Sequence, residues 1–355
     1  MLRITDIRLR NFRSYDELSL EGLGELTIFL GPNASGKTNA VEAVQLLTAL
    51  VSFRNATAAE LVKQGEQQAR AEATVTDGNR LLEVGLHLQA DPASRHYALN
   101  GKRRAAKDLC GTLPSVTFTP DDLNLVKGSD RHRRRELDVL GSQLNANYFQ
   151  LVRDYDKVLR QKNRLLKEEA PMPLLEAANE VFAKVGEQLT SYRAALFGRL
   201  APHVSAHYAD ISGAREQLGA NYVRSWEGEG TLVDAIDLRL EASRGRTLAG
   251  PHLDKVAFDI DGLDAHSFAS QGQQRSIVLA LKLAEAEVVE ELLGQLPVLL
   301  LDDVMSELDA TRREALVKGL LAGKQTFITT ANIDYFDKSM LDRAHIVELG
   351  ERLQR

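Results

Sequence analysis

The stretch "GPNASGKT" at residues 31–38 decides the fold of this chain. It follows the continuous apolar run "LTIFL" at 26–30 and precedes a helical pattern that begins near Asn39. The pattern G-x-x-x-x-G-K-[ST] between a strand and a helix is typical of a phosphate-binding loop, or P-loop. Gly31 and Gly36 let the backbone fold so that its N–H groups surround phosphate oxygens. The stretch therefore predicts an α/β fold with a nucleoside triphosphate site.

Two residues of the P-loop have specific roles in binding a nucleotide. Lys37 is expected to reach the β- and γ-phosphates, and the Thr38 hydroxyl is expected to ligate Mg²⁺. The predicted cofactors are therefore ATP and Mg²⁺. The alternative is a glycine-rich turn with a surface lysine, which the flanking strand and helix disfavour. The predicted ATP-binding residues are Gly31, Pro32, Asn33, Ala34, Ser35, Gly36, Lys37, Thr38 and Asn39.

A second motif, "PVLLLDDVMSELD" at 297–309, supplies acidic residues. Asp302 follows four apolar residues, at the carboxyl end of a buried strand, which is where α/β sheets bind ligands. We expect Asp302 to hold Mg²⁺ together with Thr38. Asp303 is expected to position or deprotonate the attacking water, which makes Asp303 and Lys37 the catalytic candidates. The alternative is that both acids cap the helix that follows.

Two weaker patterns lie near these acids in the predicted sheet. Thr329 and Thr330 end the strand "TFITT", which lies beside Asp302 if the sheet is doubly wound. Their hydroxyls would then lie near the γ-phosphate. Asp309, in "SELD", is a further candidate for the site, although it or Ser306 could simply cap the next helix.

Composition limits the class of protein. The chain has 355 residues, 44% hydrophobic and 26% charged, which is typical of a soluble protein of about two domains. The single cysteine, Cys110, fits a reducing cytosol, and no apolar run approaches the ~20 residues of a membrane helix. We therefore expect a cytoplasmic protein with no membrane partner. The net charge of −6 gives no support for a nucleic-acid partner, so such a partner requires a local basic patch.

Hydrophobic periodicity divides the chain into a sheet-forming part, a helical part and a second sheet-forming part. From about residue 121 to residue 212 the pattern is almost wholly helical. We therefore predict a P-loop lobe formed by 1–118 and 245–355, with a helical lobe inserted at 119–244. The predicted strands are 2–12, 16–23, 26–30, 69–76, 81–88, 255–261, 298–301, 326–330 and 345–349, with an Asn-Gly hairpin at 100–101.

The helix that begins after "SQGQQR" at 270–275 has an unusual first turn. Ser270 is a good N-cap residue, but glycine in a first turn costs about 1 kcal/mol relative to alanine. An N-cap role alone therefore does not explain Gly272. A helix N-terminus with a hydroxyl, a glycine and glutamine amides can also bind an anion.

In their order along the chain, "GPNASGKT", "SQGQQR" and "LLLDDVMSELD" resemble the head domain of ABC-type ATPases of the SMC-like branch. The opening "RITDIRLRNFRSY" is similar to the first strand pair of that branch. Within the branch, "VTFTPDDLNLVKGS", "YDKVLRQKNRLLK" and "GPHLD" resemble the RecF family over residues 1–350. The resemblance implies an α/β ABC-type ATPase head. Its lobe I would contain a mixed P-loop sheet and an antiparallel sheet, and its inserted lobe II would be mainly helical.

The resemblance also implies a function for the unusual helix. In such proteins the serine-glycine signature of one copy closes over the γ-phosphate bound by the other, so that ATP joins two copies in a symmetric dimer. Slow hydrolysis would reopen the dimer. The implied signature residues are Ser270, Gly272, Gln273 and Gln274, with Asp309, Thr329 and Thr330 at the D-loop and switch positions. RecF-like proteins help to load recombinase at gapped or stalled replication sites, with RecR and RecO as partners.

The chain departs from the family pattern at a few positions. "GPHLDK" has Leu253 and Lys255 where RecF-like proteins usually have an arginine and a further acid. ABC transporters carry a glutamate where this chain has Asp303, and a late histidine that residues 328–332 lack. A transporter component is therefore disfavoured. The glutamine of the Q-loop has no clear position in the sequence.

Basic clusters are the candidates for DNA contact. On a helix, five cations between 150 and 168 fall within roughly 80° of arc, and such a stripe attracts a phosphate backbone. The alternative is a solvated helix face. "GKRRAAK" at 101–107 is another basic cluster, and Arg13 is a candidate for nucleotide or DNA contact or a plain surface arginine. The DNA candidates are Arg153, Lys157, Arg160, Arg164 and Lys167, with Arg131, Arg133, Arg134 and Arg135.

Three other functions are weaker alternatives. An overcoming-lysogenisation-type ATPase-nuclease would need a further acidic, metal-binding domain, and only about 50 residues follow Asp302. A translocating motor would need a second motor core or an arginine finger. A purely structural tether of the SMC kind would need a long coiled coil. The leading hypothesis is a DNA-binding ATPase that dimerises on ATP.

Overall fold

The computed structural model describes residues 2–226, 230–320 and 323–350. The chain folds into two compact units. Unit 1 consists of residues 1–122 and 285–355, and unit 2 consists of residues 123–284. The lobe boundaries inferred from the sequence, with a helical lobe at 119–244, stay a prediction.

The strands of the described residues occur mostly where hydrophobic alternation predicted them. They are β1 (Arg3–Phe12), β2 (Tyr15–Leu20), β3 (Leu26–Leu30), β4 (Gln68–Thr76), β5 (Leu81–Gln89), β6 (Ser94–Leu99), β7 (Lys102–Arg104), β8 (Ser115–Phe118), β9 (Leu218–Val223), β10 (Lys255–Ile260), β11 (Leu263–Asp264), β12 (Val298–Asp302), β13 (Thr326–Thr330) and β14 (Ala344–Glu348). The periodicity analysis missed β8 and β9, which lie beside the helical stretch and are four and six residues long, and the two-residue strand β11.

The helices of the described residues include three long ones, α5, α6 and α10. The helices are α1 (Lys37–Thr48), α2 (Ala58–Leu61), α3 (Asn124–Lys127), α4 (Asp130–Leu144), α5 (Ala146–Lys167), α6 (Met172–Ser212), α7 (Leu232–Ala235), α8 (Leu238–Arg244), α9 (Ala265–Phe268), α10 (Gln271–Leu293), α11 (Ala310–Leu320) and α12 (Lys338–Leu341). None of the helices described is both long enough and apolar enough to cross a bilayer.

The sheet that carries the P-loop is parallel throughout. Its strand order is β14-β3-β13-β12-β8, and each neighbouring pair runs in the same direction. All residues of β12 and β13 are buried, as expected for parallel strands that are covered on both faces. The carboxyl ends of β3, β12 and β13 therefore meet at one edge, which is where the P-loop begins.

The antiparallel strands of unit 1 that the structure describes form a second, six-stranded sheet. Its order is β2-β1-β4-β5-β6-β7, and its inner face buries alternate residues such as Ile7, Ala71 and Leu86. The predicted hairpin turn is confirmed, because Asn100 and Gly101 both have positive φ, at 52° and 71°, between the paired strands β6 and β7. The predicted fold class, an α/β head with a P-loop sheet and an antiparallel sheet, is confirmed. The expectation of a mixed P-loop sheet is wrong in one respect, because all described pairs of that sheet are parallel and the antiparallel pairs of unit 1 lie outside it.

Unit 2 is mainly helical, with a small antiparallel sheet of order β11-β10-β9. The predicted helical stretch is confirmed as α3 to α6, and the "APMP" interruption lies at the break between α5 and α6. Strand β9 packs on α6 and pairs with β10, so residues well beyond 244 join the helices in one core.

A buried polar network surrounds the "GPHLD" segment of unit 2. Asp254 is fully buried and accepts hydrogen bonds from the Thr190 hydroxyl at 2.8 Å, from the Ser225 N–H at 2.7 Å and from the Tyr222 hydroxyl. Arg193 donates to the Pro251 carbonyl oxygen at 2.6 Å. Because buried polar groups must be paired, these bonds lock the segment against several elements of the unit.

His252 lies in the same network. Its Nδ1 is 2.7 Å from the Tyr155 hydroxyl, and its Nε2 is 3.1 Å from the Thr247 hydroxyl. Burial lowers the pKa of His252 to about 4, and the positive charge of Arg134 acts in the same direction. His252 is therefore neutral at physiological pH. Leu253, one of the departures from the family pattern, is 42% exposed and lies outside this network.

Candidate nucleotide-binding site

The backbone of the P-loop requires glycine at two positions. A Cβ atom on Gly31 would collide with the Leu349 carbonyl oxygen and would lie 2.8 Å from the Ser35 hydroxyl. Gly36 has φ of +97°, and a Cβ there would lie 2.9 Å from the Tyr15 hydroxyl, which donates a hydrogen bond to the Gly36 carbonyl oxygen. Positive φ and close contacts of this kind exclude larger residues. The loop is therefore shaped by its backbone, as the motif predicts.

Lys37 is buried within the loop that it follows. Its Nζ donates to the carbonyl oxygens of Gly31 and Pro32, both at 2.7 Å. Burial lowers the pKa of Lys37, while the nearby carboxylates of Asp303 and Asp302 oppose this shift. The ammonium group therefore lies at the loop, within the electrostatic field of both predicted acids.

Ser35 provides a test of whether the loop fits a phosphate. Its hydroxyl is buried and has no hydrogen-bond partner among the residues that the structure describes. An unsatisfied buried hydroxyl is unfavourable, whereas phosphate oxygens accept such hydrogen bonds readily. Together with the glycines and Lys37, this hydroxyl makes the loop suitable for a polyphosphate.

Asp302 lies at the end of β12, beside β13. The Thr329 hydroxyl donates to Asp302 Oδ1 at 2.8 Å. Burial raises the pKa of Asp302, and hydrogen bonds from Thr329 and Thr38 together with the charge of Arg54 oppose this shift. The structure thus places Thr38, the second predicted Mg²⁺ ligand, close enough to Asp302 to affect its pKa. A carboxylate and a hydroxyl are oxygen donors of the kind that Mg²⁺ prefers.

Asp303 adopts the left-handed backbone conformation, with φ of 53°. Its N–H donates to the Thr329 hydroxyl at 2.8 Å, and its carbonyl oxygen accepts from the Ser306 hydroxyl at 2.9 Å. The residue is half-buried, and its charge acts on Lys37. Asp303 is therefore part of the same site as Lys37 and Asp302.

The remaining candidates of the D-loop and switch, Thr330 and Asp309, make hydrogen bonds to residues close to them in sequence. The Thr330 hydroxyl donates to the Asn332 carbonyl oxygen at 2.8 Å, while the Thr330 carbonyl oxygen accepts from the Gly31 N–H at 3.3 Å. Asp309 accepts from the Arg312 N–H at 2.9 Å and precedes α11, so it caps that helix. The observed contacts of Asp309 therefore agree with the alternative interpretation, in which this residue caps a helix.

Two arginines lie close to the candidate site. Arg13 makes contacts that stabilise the fold, whereas Arg54 interacts with site residues and was missed by the sequence analysis. Arg13 binds both carboxylate oxygens of the fully buried Glu42, at 2.9 and 2.8 Å. Arg54 donates to Asn39 Oδ1 at 2.9 Å, and its charge acts on Asp302. Arg54 belongs to an irregular segment after α1, where periodicity offers no indication of a role.

The predicted signature residues form a helix cap in unit 2. The Gln273 N–H donates to the Ser270 hydroxyl at 3.3 Å, and the Ser270 N–H donates to Gln273 Oε1 at 2.7 Å. This reciprocal pair is a capping box. Gln274 donates to the Ala269 carbonyl oxygen at 2.9 Å, and Ser270 is exposed. The N-cap interpretation therefore holds within one chain, and any role opposite a second copy stays a prediction.

The predicted basic stripe lies on the exposed face of α5. Arg153, Lys157, Arg160, Arg164 and Lys167 are all exposed. The opposite face is buried through side chains that include Tyr155 and Leu166. The stripe is therefore accessible in this unit.

The arginines of α4 differ in accessibility. Arg133 donates to the carbonyl oxygens of Leu125, Val126 and Gly128, and Arg134 donates to the Asp254 carbonyl oxygen. These two side chains therefore stabilise unit 2 internally. Arg131 is exposed and Arg135 is half-buried.

The parallel sheet, the P-loop and the acids at the carboxyl edge of the sheet define a P-loop ATPase head. Residues 3–350 match the family model described as the RecF/RecN/SMC N terminal domain. The chain is 35% identical to the DNA replication and repair protein RecF of Picosynechococcus sp., over 97% of this chain and 95% of that protein. It is 32% identical to the protein of the same name from Staphylococcus aureus, over 99% of each chain. The chain therefore belongs to the RecF family.

Solved structures agree with this assignment. The structure of the recombination mediator protein RecF-ATPrS in the RecFOR pathway superimposes with a TM-score of 0.87 and 31% identity, over 95% of this chain and 94% of that one. The Smc head domain of Pyrococcus furiosus, bound to the C-terminal domain of ScpA, superimposes with a TM-score of 0.54 at 16% identity, over 98% of this chain and 93% of that one. The second likeness shows a shared head fold only.

Proposed function

We propose that this protein is an ATP-driven switch of recombinational DNA repair, which dimerises on ATP, binds DNA and promotes recombinase loading. The observation that carries the proposal is the convergence of Lys37, Thr38, Asp302 and Asp303 at one edge of the parallel sheet. The solved relative is described as a RecF-ATP structure, which supports ATP as the nucleotide.

In this proposal the residues of unit 1 bind and orient ATP. The P-loop N–H groups and Lys37 bind the phosphates, and the Ser35 hydroxyl gains the partner that it lacks in the described part of the chain. Thr38 and Asp302 would hold Mg²⁺, which would neutralise phosphate charge when bound. Asp303 would orient the attacking water and accept its proton. Hydrolysis would be slow and would serve to reset the switch.

The dimer is inferred from the N-terminus of α10. The Ser270–Gln273 capping box leaves the first turn ordered, and Ser270 is exposed. The positive end of the α10 helix dipole is favourable for the γ-phosphate of ATP bound to a second copy. Two copies would then bind two ATP molecules across a two-fold interface.

DNA binding is inferred from the stripe on α5. Exposed cations on one helical face neutralise backbone phosphates with little regard to sequence. A second basic surface lies on the β6–β7 hairpin, where Lys102, Arg103 and Arg104 are exposed at the edge of a sheet. We propose duplex, gapped or junction DNA as the ligand, with RecR and RecO as protein partners in the cytoplasm. The RecFOR pathway of the solved relative supports this choice of partners.

Analytical ultracentrifugation of the wild-type chain tests the central claim. We expect a monomer without nucleotide, a dimer with ATP and Mg²⁺, and tighter dimerisation when a gapped duplex is present. A monomer under all of these conditions would contradict the proposed switch.

A further inference from the structure

Thr329 lies between the two acids of the candidate site. Strand β13 pairs in parallel with β12 so that Thr329 lies directly opposite Asp302. Thr329 is fully buried, with an exposed fraction of 0%. Thr329 can therefore affect the site only through the protein groups that it contacts.

The Thr329 hydroxyl makes two hydrogen bonds, one as the donor and one as the acceptor. It donates its one proton to Asp302 Oδ1 at 2.8 Å and accepts the Asp303 N–H at 2.8 Å. A hydroxyl has a single donor, so no second donor remains for a phosphate oxygen. One oxygen atom thus connects a carboxylate to the backbone of the residue that follows it.

The bond to the Asp303 N–H supports an uncommon backbone conformation. Asp303 has φ of 53°, a region that few non-glycine residues occupy. A conformation of this kind persists where neighbouring groups determine it, and it is often found at functional sites. The turn at Asp303 sets the direction in which its side chain leaves β12, so the Thr329 hydroxyl affects both acids at once.

We propose that Thr329 is a positioning residue that orients Asp302 and Asp303 through one hydroxyl, without contacting the nucleotide itself. This inference rests on the proposed function, and it differs from the sequence-based expectation of a hydroxyl near the γ-phosphate. Thr330 next to it has a different arrangement, since its hydroxyl donates to the Asn332 carbonyl oxygen.

Substitutions that change only the hydroxyl test the proposal. Thr329→Val keeps the shape and removes both hydrogen bonds, Thr329→Ser keeps the hydroxyl, and Thr329→Ala is a second hydroxyl-free variant should valine fail to pack. Thr27→Val is the matched control, because Thr27 is also fully buried in the parallel sheet and its hydroxyl has no partner within the described ranges. All variants are first compared by thermal unfolding.

The measurements separate nucleotide binding from metal binding. We expect ATP affinity in EDTA to change less than about 2-fold in every variant, because the P-loop is intact. Binding of Mn²⁺ to the ATP complex, followed by electron paramagnetic resonance, should weaken about 10- to 100-fold in Thr329→Val, as is usual when a group that orients a metal ligand is lost. For hydrolysis, kcat should fall while the KM for ATP stays near its wild-type value. Thr329→Ser should restore both properties.

Each outcome decides between the proposals. If Thr329→Val and Thr329→Ala bind Mn²⁺ as Thr27→Val does, or if Thr329→Ser loses as much as Thr329→Val, the positioning role is wrong while the nucleotide site stands. If the wild-type chain fails to bind ATP in EDTA and with metal, the proposed function is wrong, and the positioning role is wrong with it. Loss confined to the hydroxyl-free variants at Thr329 supports the inference.

Discussion

At the scale of single residues, the site depends on groups whose ordinary chemistry is altered by burial. Burial lowers the pKa of Lys37, which the charges of Asp303 and Asp302 oppose. Burial raises the pKa of Asp302, which Thr329, Thr38 and Arg54 oppose and the charge of Asp303 reinforces. Charged groups that are buried in this way persist only when partners compensate for the lost water. The charged residues of the candidate site therefore stabilise one another, and single substitutions within the site are expected to have large effects.

Lys37→Ala should strongly weaken ATP binding. The substitution deletes the ammonium group at the P-loop, and a charge-assisted hydrogen bond of this kind contributes roughly 1.5–3 kcal/mol, or about 10- to 100-fold in affinity. Fluorescence titration with an ATP analogue measures the loss. Arg80→Ala, at an exposed position in unit 1 whose side chain is 82% accessible, serves as the control. Wild-type affinity in Lys37→Ala would contradict the nucleotide assignment.

His252 should make the protein less stable in mild acid. Its folded-state pKa of about 4 lies below the unfolded value of 6.5, so only the unfolded chain gains a proton between these values. Stability is therefore unaffected above pH 6.5 and falls as pH decreases towards 4, by at most roughly 3 kcal/mol for the full shift. His252→Asn should flatten this part of the profile. Thermal unfolding of both proteins from pH 7 to pH 4 measures the difference, and parallel profiles would show that His252 does not contribute.

At the scale of elements, helix α5 has an exposed, positively charged outer face and a buried inner face. Its outer face carries the exposed cations, and its inner face includes Lys162, which is fully buried and forms an ion pair with Glu241 at 2.7 Å. Lys162 also donates to Asn179 Oδ1 at 2.6 Å. A buried pair of this kind is costly to break, so the inner face holds α5 in place while the outer face remains free for a ligand. Charge alone therefore does not tell which cations of α5 are accessible.

Charge reversal on the outer face should weaken DNA binding. Arg160→Glu with Arg164→Glu should reduce the affinity for duplex DNA and lower the salt slope by about 2, since each phosphate contact contributes about 0.9. Fluorescence anisotropy at several salt concentrations measures both quantities. Lys184→Glu with Arg199→Glu, two exposed positions of α6 in the same unit, makes the same change in net charge. Equal losses in the two double variants would indicate a general charge effect and no specific surface.

Ser270→Arg should prevent the ATP-dependent dimer while leaving ATP binding intact. A long cation at the exposed N-cap of α10 would occupy the space that a second copy needs, and it would also remove the capping box, at a cost of about 1 kcal/mol to the helix. Ser270→Thr keeps a hydroxyl cap and should retain dimerisation. Sedimentation velocity with ATP measures both variants. A dimer of wild-type affinity in Ser270→Arg would contradict the role of α10 opposite a second copy.

At the scale of the whole molecule, unit 1 is built from two distant parts of the chain, whereas unit 2 is one continuous stretch. The parallel sheet of unit 1 joins β3 and β8 from the first third of the sequence to β12, β13 and β14 near its end. Unit 2 contains the stretch between them, from residue 123 to residue 284. Unit 1 therefore forms its sheet only after the intervening residues have been synthesised, and long-range pairing of this kind is slow to form.

The sequence by itself determined the P-loop, the strands that flank it and the acids at the end of β12, because these features depend on local spacing and periodicity. It also determined the exposed stripe of α5, since 3.6 residues per turn places those cations on one face. Only the tertiary structure decided that Thr329 bonds both aspartates, that Arg54 acts on Asp302 and that Arg133 and Arg134 face inward. These contacts depend on the order of strands in a sheet and on the packing of helices. Because both bring together residues that are far apart in sequence, local sequence patterns do not predict them.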